Sequence, residues 1–179
     1  MATSSAPDLW ETLAVEAALE SPLWAAALRP EDELELEPVF SPLAEPRFAL
    51  GLETIYEGYL LHFGRPRLFA PVDPDTAILL GDYLYAHGLV RVAAFEEVAA
   101  VADLADLISL CSQVSAEGRA GDGEAWAATA ALLGAGDLEE ARAALRLDGD
   151  PGPLSALARA AAGDEAVELA LAAHRLRLR

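Results

Sequence analysis

Three short stretches between residues 51 and 86 decide the expected fold: Gly-Leu-Glu-Thr-Ile-Tyr-Glu at 51–57, Gly-Arg-Pro at 64–66, and Ala-Ile-Leu-Leu-Gly-Asp-Tyr-Leu-Tyr-Ala at 77–86. The first is typical of a helix that begins near residue 43 or 46 and ends at Phe63, because glycine and proline follow it. The third belongs to a second helix that runs to about residue 92. Asp73 can cap this helix, with Pro74 at its first position.

The composition favours helices along the rest of the chain. Of the 179 residues, 54% are hydrophobic but only 7% are aromatic, so Ala and Leu supply most of the apolar side chains. Both residues have high helix propensity. The pattern predicts an all-α domain, with further helices at about 8–19, 21–28, 95–115, 124–134, 137–147, 153–162 and 164–177.

The predicted organisation is a loose tail at 1–7, a helical domain at 8–135 and short C-terminal helices at 136–179 packed on that domain. Within the domain, residues 30–46 are acidic and interrupted by prolines. The alternation of Glu and Leu at 33–37 is compatible with a short strand, but the prolines favour a connecting arm. Its charges are interpreted as a solvated face or as a docking arm for a basic partner.

Charge and cysteine content exclude several classes of protein. The net charge of −18 argues against binding to nucleic acid or to an anionic membrane surface. The single cysteine, Cys111, lies in an apolar run, which predicts a buried structural thiol and not a reactive one. No uninterrupted apolar run is long enough to span a membrane, and the N-terminus lacks the pattern of a signal peptide. We therefore expect a soluble, cytoplasmic protein.

Glu53 and Glu57 are the first candidate site residues. Four residues apart on a helix, their carboxylates share one face. Together with water, such a pair can hold Mg²⁺, but the same spacing is common on exposed helices. Arg65 and Arg67 follow in the next loop. They are interpreted as anion-binding residues or as members of a solvated loop or an interface ion pair.

The three stretches together resemble the trans-isoprenyl (polyprenyl) diphosphate synthases, over about residues 45–135. The resemblance implies the N-terminal half of the isoprenoid synthase fold. It places Glu53 and Glu57 at the outer acids of the Asp-Asp-x-x-Asp motif, which binds Mg²⁺ and the allylic diphosphate, with Thr54 at the middle acid. It also matches Asp82 to a Gly-Asp of the family and Gln113 to a glutamine beyond the cavity. From its position on the helix, Asp82 is expected to be partly enclosed and bonded to Arg65 or a tyrosine.

Much of the family's charged chemistry is missing from the chain. The tandem arginines that grip the diphosphate are replaced by His62 and Phe63, and the family's Lys-Thr is absent. No second aspartate-rich motif follows residue 130. Ionising an allylic diphosphate requires metal and cationic stabilisation of the leaving group, so the sequence predicts a protein that is not an enzyme by itself.

The resemblance therefore implies a pseudoenzyme: a non-catalytic partner or regulatory subunit of a heteromeric polyprenyl diphosphate synthase, in isoprenoid biosynthesis. Its partner would be a complete synthase subunit or a second copy of itself. No cofactor is expected, and Mg²⁺ only if a residual diphosphate site survives. The alternatives are a stand-alone helical scaffold, an isoprenoid-binding module without catalysis, or a homo-oligomer that completes a site across chains.

Overall fold

The structure is a computed structural model that describes residues 8–178, and regular structure within that range is helical. The predicted all-α class is confirmed; the predicted tail at 1–7 lies outside the described residues. The helices are α1 Leu9–Glu20, α2 Pro22–Ala26, α3 Ala49–Phe63, α4 Pro74–Ala93, α5 Val98–Ala116, α6 Asp122–Ala131, α7 Glu139–Ala143, α8 Gly152–Ala162 and α9 Asp164–Arg177, and a π-helical turn at Ala144–Asp148 extends α7.

Local sequence signals set the helix starts. Asp73 accepts a hydrogen bond from a backbone N–H of the first turn of α4, as predicted for an N-cap. Asp8 and Ser21 cap α1 and α2 in the same way. The predicted bounds are wrong by a few residues elsewhere. The helix predicted from residue 95 begins at Val98, because Glu96 has a φ of 60° and interrupts the chain between α4 and α5.

The acidic segment at 30–46 forms no strand, so that alternative is wrong for residues 33–37. It contains single helical turns at Glu31–Glu33 and Ser41–Leu43, with extended backbone between them. The nearest approach to a sheet in residues 8–178 is one bridge between Leu28 and Phe69, which ties the end of the α2 region to the loop after α3.

Paired glycines bring α3 and α4 into very close contact. Gly58 lies against Gly81, and a Cβ at Gly58 would be 2.9 Å from the Gly81 carbonyl oxygen. One heptad further along, Gly51 and Gly88 form the same kind of pair: a Cβ at Gly88 would be 2.9 Å from the Gly51 carbonyl oxygen. The two helices therefore approach closely enough for backbone atoms to touch at both pairs, with the side chains of Val92 and Ile55 packed beside the second pair.

The core consists of two clusters of buried side chains. The larger runs from Val39 to Leu171 and includes residues of α3, α5, α6, α8 and α9. The smaller lies between α1, the loop after α3 and α4. The helices after residue 136 thus contribute to the same large core as the preceding helices.

Helix α5 has the length and composition of a membrane-spanning helix, with a mean hydropathy of 1.4 over its most apolar window. Leu104, Leu107 and Leu110 from this helix are completely buried in the large core. Such packing is typical of a core helix in a soluble protein. Only 39% of the apolar window is buried, however, so one side of α5 faces outward.

Candidate functional site

Glu53 and Glu57 share one face of α3, as predicted, but that face is internal. Their exposed fractions are 1% and 0%. Between them lies the guanidinium of Arg67, itself completely buried: its Nε donates to Glu57 Oε2 at 3.0 Å, and its Nη1 donates to Glu53 Oε2 at 2.5 Å. We call these three residues the Glu–Arg–Glu network.

The second oxygen of each carboxylate binds backbone N–H groups. Glu57 Oε1 accepts from the backbone nitrogens of Arg67 and Leu68, both at 2.8 Å. Glu53 Oε1 accepts from those of Val39 and Ser41, both at 3.2 Å. The network therefore fixes two irregular segments to α3: the end of the acidic segment and the loop that leads to α4.

Aromatic rings complete the enclosure of Arg67. The guanidinium carbon lies 4.5 Å from the ring centroid of Trp10 on α1 and 4.9 Å from that of Tyr56 on α3. Burial opposes the charge of Arg67, but Glu53 and Glu57 outweigh that effect and raise the pKa of the guanidinium above its ordinary value. The cation is therefore permanent, and it compensates the buried carboxylates.

This arrangement does not fit Mg²⁺. All four carboxylate oxygens of Glu53 and Glu57 already accept hydrogen bonds, and a magnesium ion would have to displace Arg67 and take an octahedral shell. Within residues 8–178, no group of three or more His, Cys, Asp or Glu side chains is arranged to hold a metal ion. Ligand binding by the two glutamates stays a prediction, and it would require the network to open.

The other predicted site residues lie apart from the network. Arg65 is exposed and donates to the carbonyl of Leu176 at 3.2 Å. Gln113 on α5 donates to Glu117 at 3.0 Å. The predicted enclosure of Asp82 is wrong, because its side chain is 65% exposed on the outer side of α4.

The partner predicted for Asp82 is also wrong. A carboxylate oxygen lies 3.2 Å from Nε2 of His62, and neither Arg65 nor a tyrosine bonds it. His62 is one of the two residues that stand where the resemblance expects arginines. Of the six predicted residues, the structure thus brings together Glu53, Glu57 and Arg67, and it leaves the others separate.

A second buried polar network joins α3, α6 and α9. His174 on α9 is 2% exposed; its Nε2 lies 2.9 Å from Asp122 and its Nδ1 lies 2.8 Å from the hydroxyl of Tyr56. Tyr59 donates its hydroxyl hydrogen to the same Asp122 oxygen. A neutral His174 with its proton on Nε2 satisfies every one of these bonds, since Tyr56 then donates to Nδ1.

The pKa shifts of the neighbouring groups keep the carboxylate of this network charged and its phenols protonated. Burial by itself would raise the pKa of Asp122, but hydrogen bonds from His174 and Tyr59 outweigh it, so the pKa is lowered below its ordinary value of 3.8. Burial raises the pKa of both Tyr56 and Tyr59, so the phenols remain protonated. Both nitrogens of His174 are engaged, which leaves neither free to act as a general base.

The sequence did not point to the second network. His174 and Asp122 are 52 residues apart, and neither lies in a recognisable motif. The helix predicted at 124–134 leaves Asp122 outside it, although Asp122 is the first residue of α6. Only the packing of α9 on α6 brings them together.

A surface groove of about 490 Å³ lies between the acidic segment and α9. Leu34, Leu36 and Leu176 line it together with Arg65 and Arg177. Arg177 binds Glu35 at 2.7 Å across the groove. The walls therefore carry both signs of charge, and the groove is not a cationic pocket for a diphosphate.

Comparisons of the chain with protein-family models, with curated proteins and with solved structures find no match. The resemblance to the polyprenyl diphosphate synthases consequently rests on the sequence motifs alone.

Proposed function

We propose that this protein is a non-catalytic helical subunit that acts by binding another protein. Its proposed partner is a complete polyprenyl diphosphate synthase, whose product length or stability it would adjust. The observation that carries the proposal is the Glu–Arg–Glu network. At the positions where the resemblance expects metal ligands, Glu53 and Glu57 neutralise Arg67 inside the protein.

The energetics of the network support a structural role for these residues. Opening it to admit Mg²⁺ would leave Arg67, which is 0% exposed, as a buried cation without a charged partner. Removing one member of a buried ion pair costs about 3–5 kcal/mol. A site that binds metal through Glu53 and Glu57 would have to recover that free energy from the metal and the diphosphate.

The alternative is a stand-alone helical scaffold without catalysis. One observation favours it: the two buried polar networks satisfy themselves, and they join α1, α3, α6 and α9 into one framework. This alternative needs neither an isoprenoid nor a synthase partner.

Two measurements on the purified protein test the absence of catalysis. The protein is incubated with Mg²⁺, isopentenyl diphosphate and an allylic diphosphate, and chain elongation is followed with radiolabelled substrate. Binding of the allylic diphosphate is measured by calorimetry with and without Mg²⁺. We expect neither turnover nor Mg²⁺-dependent binding; turnover that is lost in Glu53→Gln would overturn the proposal.

Co-expression with a complete polyprenyl diphosphate synthase from the same genome tests the partner. We expect the two chains to elute together and the product length or thermal stability of the synthase to change. A matched control uses the synthase with an unrelated acidic helical protein. Separate elution with unchanged products would leave the scaffold as the better function.

A further inference from the structure

Two short segments of the chain have complementary sequences. Residues 33–37 are Glu-Leu-Glu-Leu-Glu, and residues 175–179 are Arg-Leu-Arg-Leu-Arg. We call them the Glu–Leu segment and the Arg–Leu segment; the last residue of the second lies outside the described residues. Every glutamate of the first segment has an arginine as its counterpart in the second, and every leucine has a leucine. The two segments therefore match in both their charged and their apolar positions.

The fold places the two segments beside one another. Their middle residues, Glu35 and Arg177, form an ion pair: Arg177 donates through Nη1 to the carboxylate at 2.7 Å and through Nη2 to the Glu35 carbonyl oxygen at 3.3 Å. Leu34, Leu36 and Leu176 line the groove between the segments. The Glu–Leu segment thus binds a guanidinium and lies next to a leucine of the Arg–Leu segment.

The contact within one chain uses only part of this match. Arginines two residues apart on a helix point about 200° away from one another, so Arg177 faces the Glu–Leu segment and Arg175 does not. The side chain of Arg175 is 56% exposed and lies 3.9 Å from Glu168 of the same helix. Within residues 8–178, the other ion pair of the Glu–Leu segment joins Glu33, which is 57% exposed, to Arg29 at 3.7 Å. Both segments therefore keep exposed charges that their mutual contact does not use.

The charges around the groove restrict the kind of partner that it can bind. Arg65 lines the groove, is exposed, and bonds a carbonyl oxygen and not a carboxylate. A partner that is basic throughout would meet Arg65 and Arg177, and a partner that is acidic throughout would meet the Glu–Leu segment. The occupant must therefore carry both signs of charge in the reverse arrangement, with apolar side chains between them.

We infer that the Glu–Leu segment of one molecule binds the Arg–Leu segment of a second copy of this chain. In a two-fold contact, each copy presents the same surface to the other. Because the two segments border one groove, a single contact contains both pairings, and the glutamates of each copy face the arginines of the other. The exposed side chains of Leu176 and Leu178 supply apolar area to bury.

Opposite charges at this contact offset the repulsion between two molecules that each carry a net charge of −18. The Arg–Leu segment holds three of the 12 basic residues of the chain within five positions. Elsewhere, Arg47, Arg91 and Arg159 are bonded to carboxylates of their own chain. The inference does not rest on the proposed synthase partner, because it uses only surfaces of this chain.

Charge exchange at the outer positions of the two segments tests the inference and leaves the central ion pair in place. The first variant carries Glu33→Arg and Glu37→Arg, and the second carries Arg175→Glu and Arg179→Glu. Analytical ultracentrifugation of the full chain, over a range of concentrations, measures the association of each protein alone and of the two variants mixed. We expect wild type to dimerise and each variant alone to dimerise about 100-fold more weakly, because like charges then meet. The mixture should form a heterodimer as tight as the wild-type dimer, because every exchanged residue again faces the opposite charge.

Two controls separate matched pairing from net charge. Glu139→Arg combined with Glu140→Arg gives the same net charge as the first variant but changes exposed residues of α7, and this protein should dimerise at least as tightly as wild type. A single chain that carries all four exchanges reverses both segments, so it should dimerise like wild type. Circular dichroism and thermal unfolding establish that each variant is folded.

A wild-type protein that is monomeric at every concentration overturns the inference. So does a mixture of the two variants that associates no more tightly than either variant alone, because the match then acts only within one chain. A first variant that dimerises as tightly as the α7 control would show that net charge governs association, and the inference would fail. If the exchanges leave the dimer unchanged but abolish co-elution with a complete synthase, the segments bind a different protein. None of these measurements involves prenyl-chain turnover, so failure here is distinguishable from failure of the proposed function.

Discussion

Replacing Arg67 by methionine should destabilise the protein more than any other single change in the Glu–Arg–Glu network. Methionine keeps an apolar stem of similar length but removes the cation. Arg67 makes two charged hydrogen bonds to carboxylates that are 0–1% exposed, and each such bond contributes about 1.5–3 kcal/mol. Glu53 and Glu57 would keep their backbone donors, so we place the loss at about 3–5 kcal/mol. Typical domains have a total stability of about 5–15 kcal/mol.

Urea unfolding followed by circular dichroism and by tryptophan fluorescence measures this loss, since the buried Trp10 lies over Arg67. Arg65→Met is the control: this arginine is two residues away but exposed, and its replacement should lower the free energy of unfolding by less than about 1 kcal/mol.

A second variant adds Glu53→Gln and Glu57→Gln to Arg67→Met. Because glutamine keeps an acceptor for the backbone N–H groups without the charge, this triple variant should be more stable than Arg67→Met alone. A free energy of unfolding for Arg67→Met within about 1 kcal/mol of that of wild type would refute this prediction. A triple variant less stable than Arg67→Met alone would refute it as well.

Three further predictions concern packing, pH dependence and thiol reactivity. Gly58→Ala should lower the free energy of unfolding by about 1–3 kcal/mol, because its Cβ would meet the Gly81 carbonyl oxygen at 2.9 Å; a Tm equal to that of wild type would contradict the backbone contact. His174→Phe should lower the free energy of unfolding by about 1–3 kcal/mol and make it less dependent on pH in acid. The lowered pKa of Asp122 contributes stability that is present above pH 3.8 and is lost as the pH falls through the still lower pKa of the folded state. If chemical denaturation from neutral pH to pH 3 gives parallel curves for His174→Phe and wild type, the assignment is incorrect. Cys111 is buried and burial raises its pKa, so Ellman's reagent should react with it only after denaturation, and rapid labelling of the native protein would show that α5 opens.

Local sequence signals allowed the helices to be predicted, but contacts between residues far apart in the sequence could not be predicted. The caps Asp8, Ser21 and Asp73 act through hydrogen bonds within three residues of themselves, so the sequence contains the whole interaction. The burial of Glu53 and Glu57 depends instead on Arg67, which returns to α3 through the loop after it. A pair of glutamates at this spacing is the same pattern on an exposed face and on a buried one, so the sequence alone does not distinguish a metal site from an internal ion pair.

The resemblance directed attention to the α3 face that carries Glu53 and Glu57, and in the structure that face forms an internal ion pair. Anion binding was one of two interpretations of Arg67, and the anions that Arg67 contacts are the protein's own glutamates. His174 lies 118 residues from Tyr56, and no local pattern predicts such a contact. For Asp82, the sequence predicted an enclosed side chain that is exposed in the structure. A polar residue between apolar neighbours on a helix can point outward as easily as inward.

The glycine contact between α3 and α4 restricts how this sequence can vary without a change of fold. At Gly58, the group nearest to an added Cβ is the carbonyl oxygen of Gly81, and a carbonyl cannot be made smaller by mutation. At Gly88, an added Cβ would meet both a side-chain carbon of Ile55 and the carbonyl oxygen of Gly51, so a smaller residue at position 55 would relieve only part of the clash. Full accommodation of a larger residue at either position therefore requires displacement of a whole helix. Such a displacement would also carry Glu53 away from Arg67. In an alignment of relatives, we expect these glycine positions to be invariant and to show no covariation with the residues that face them.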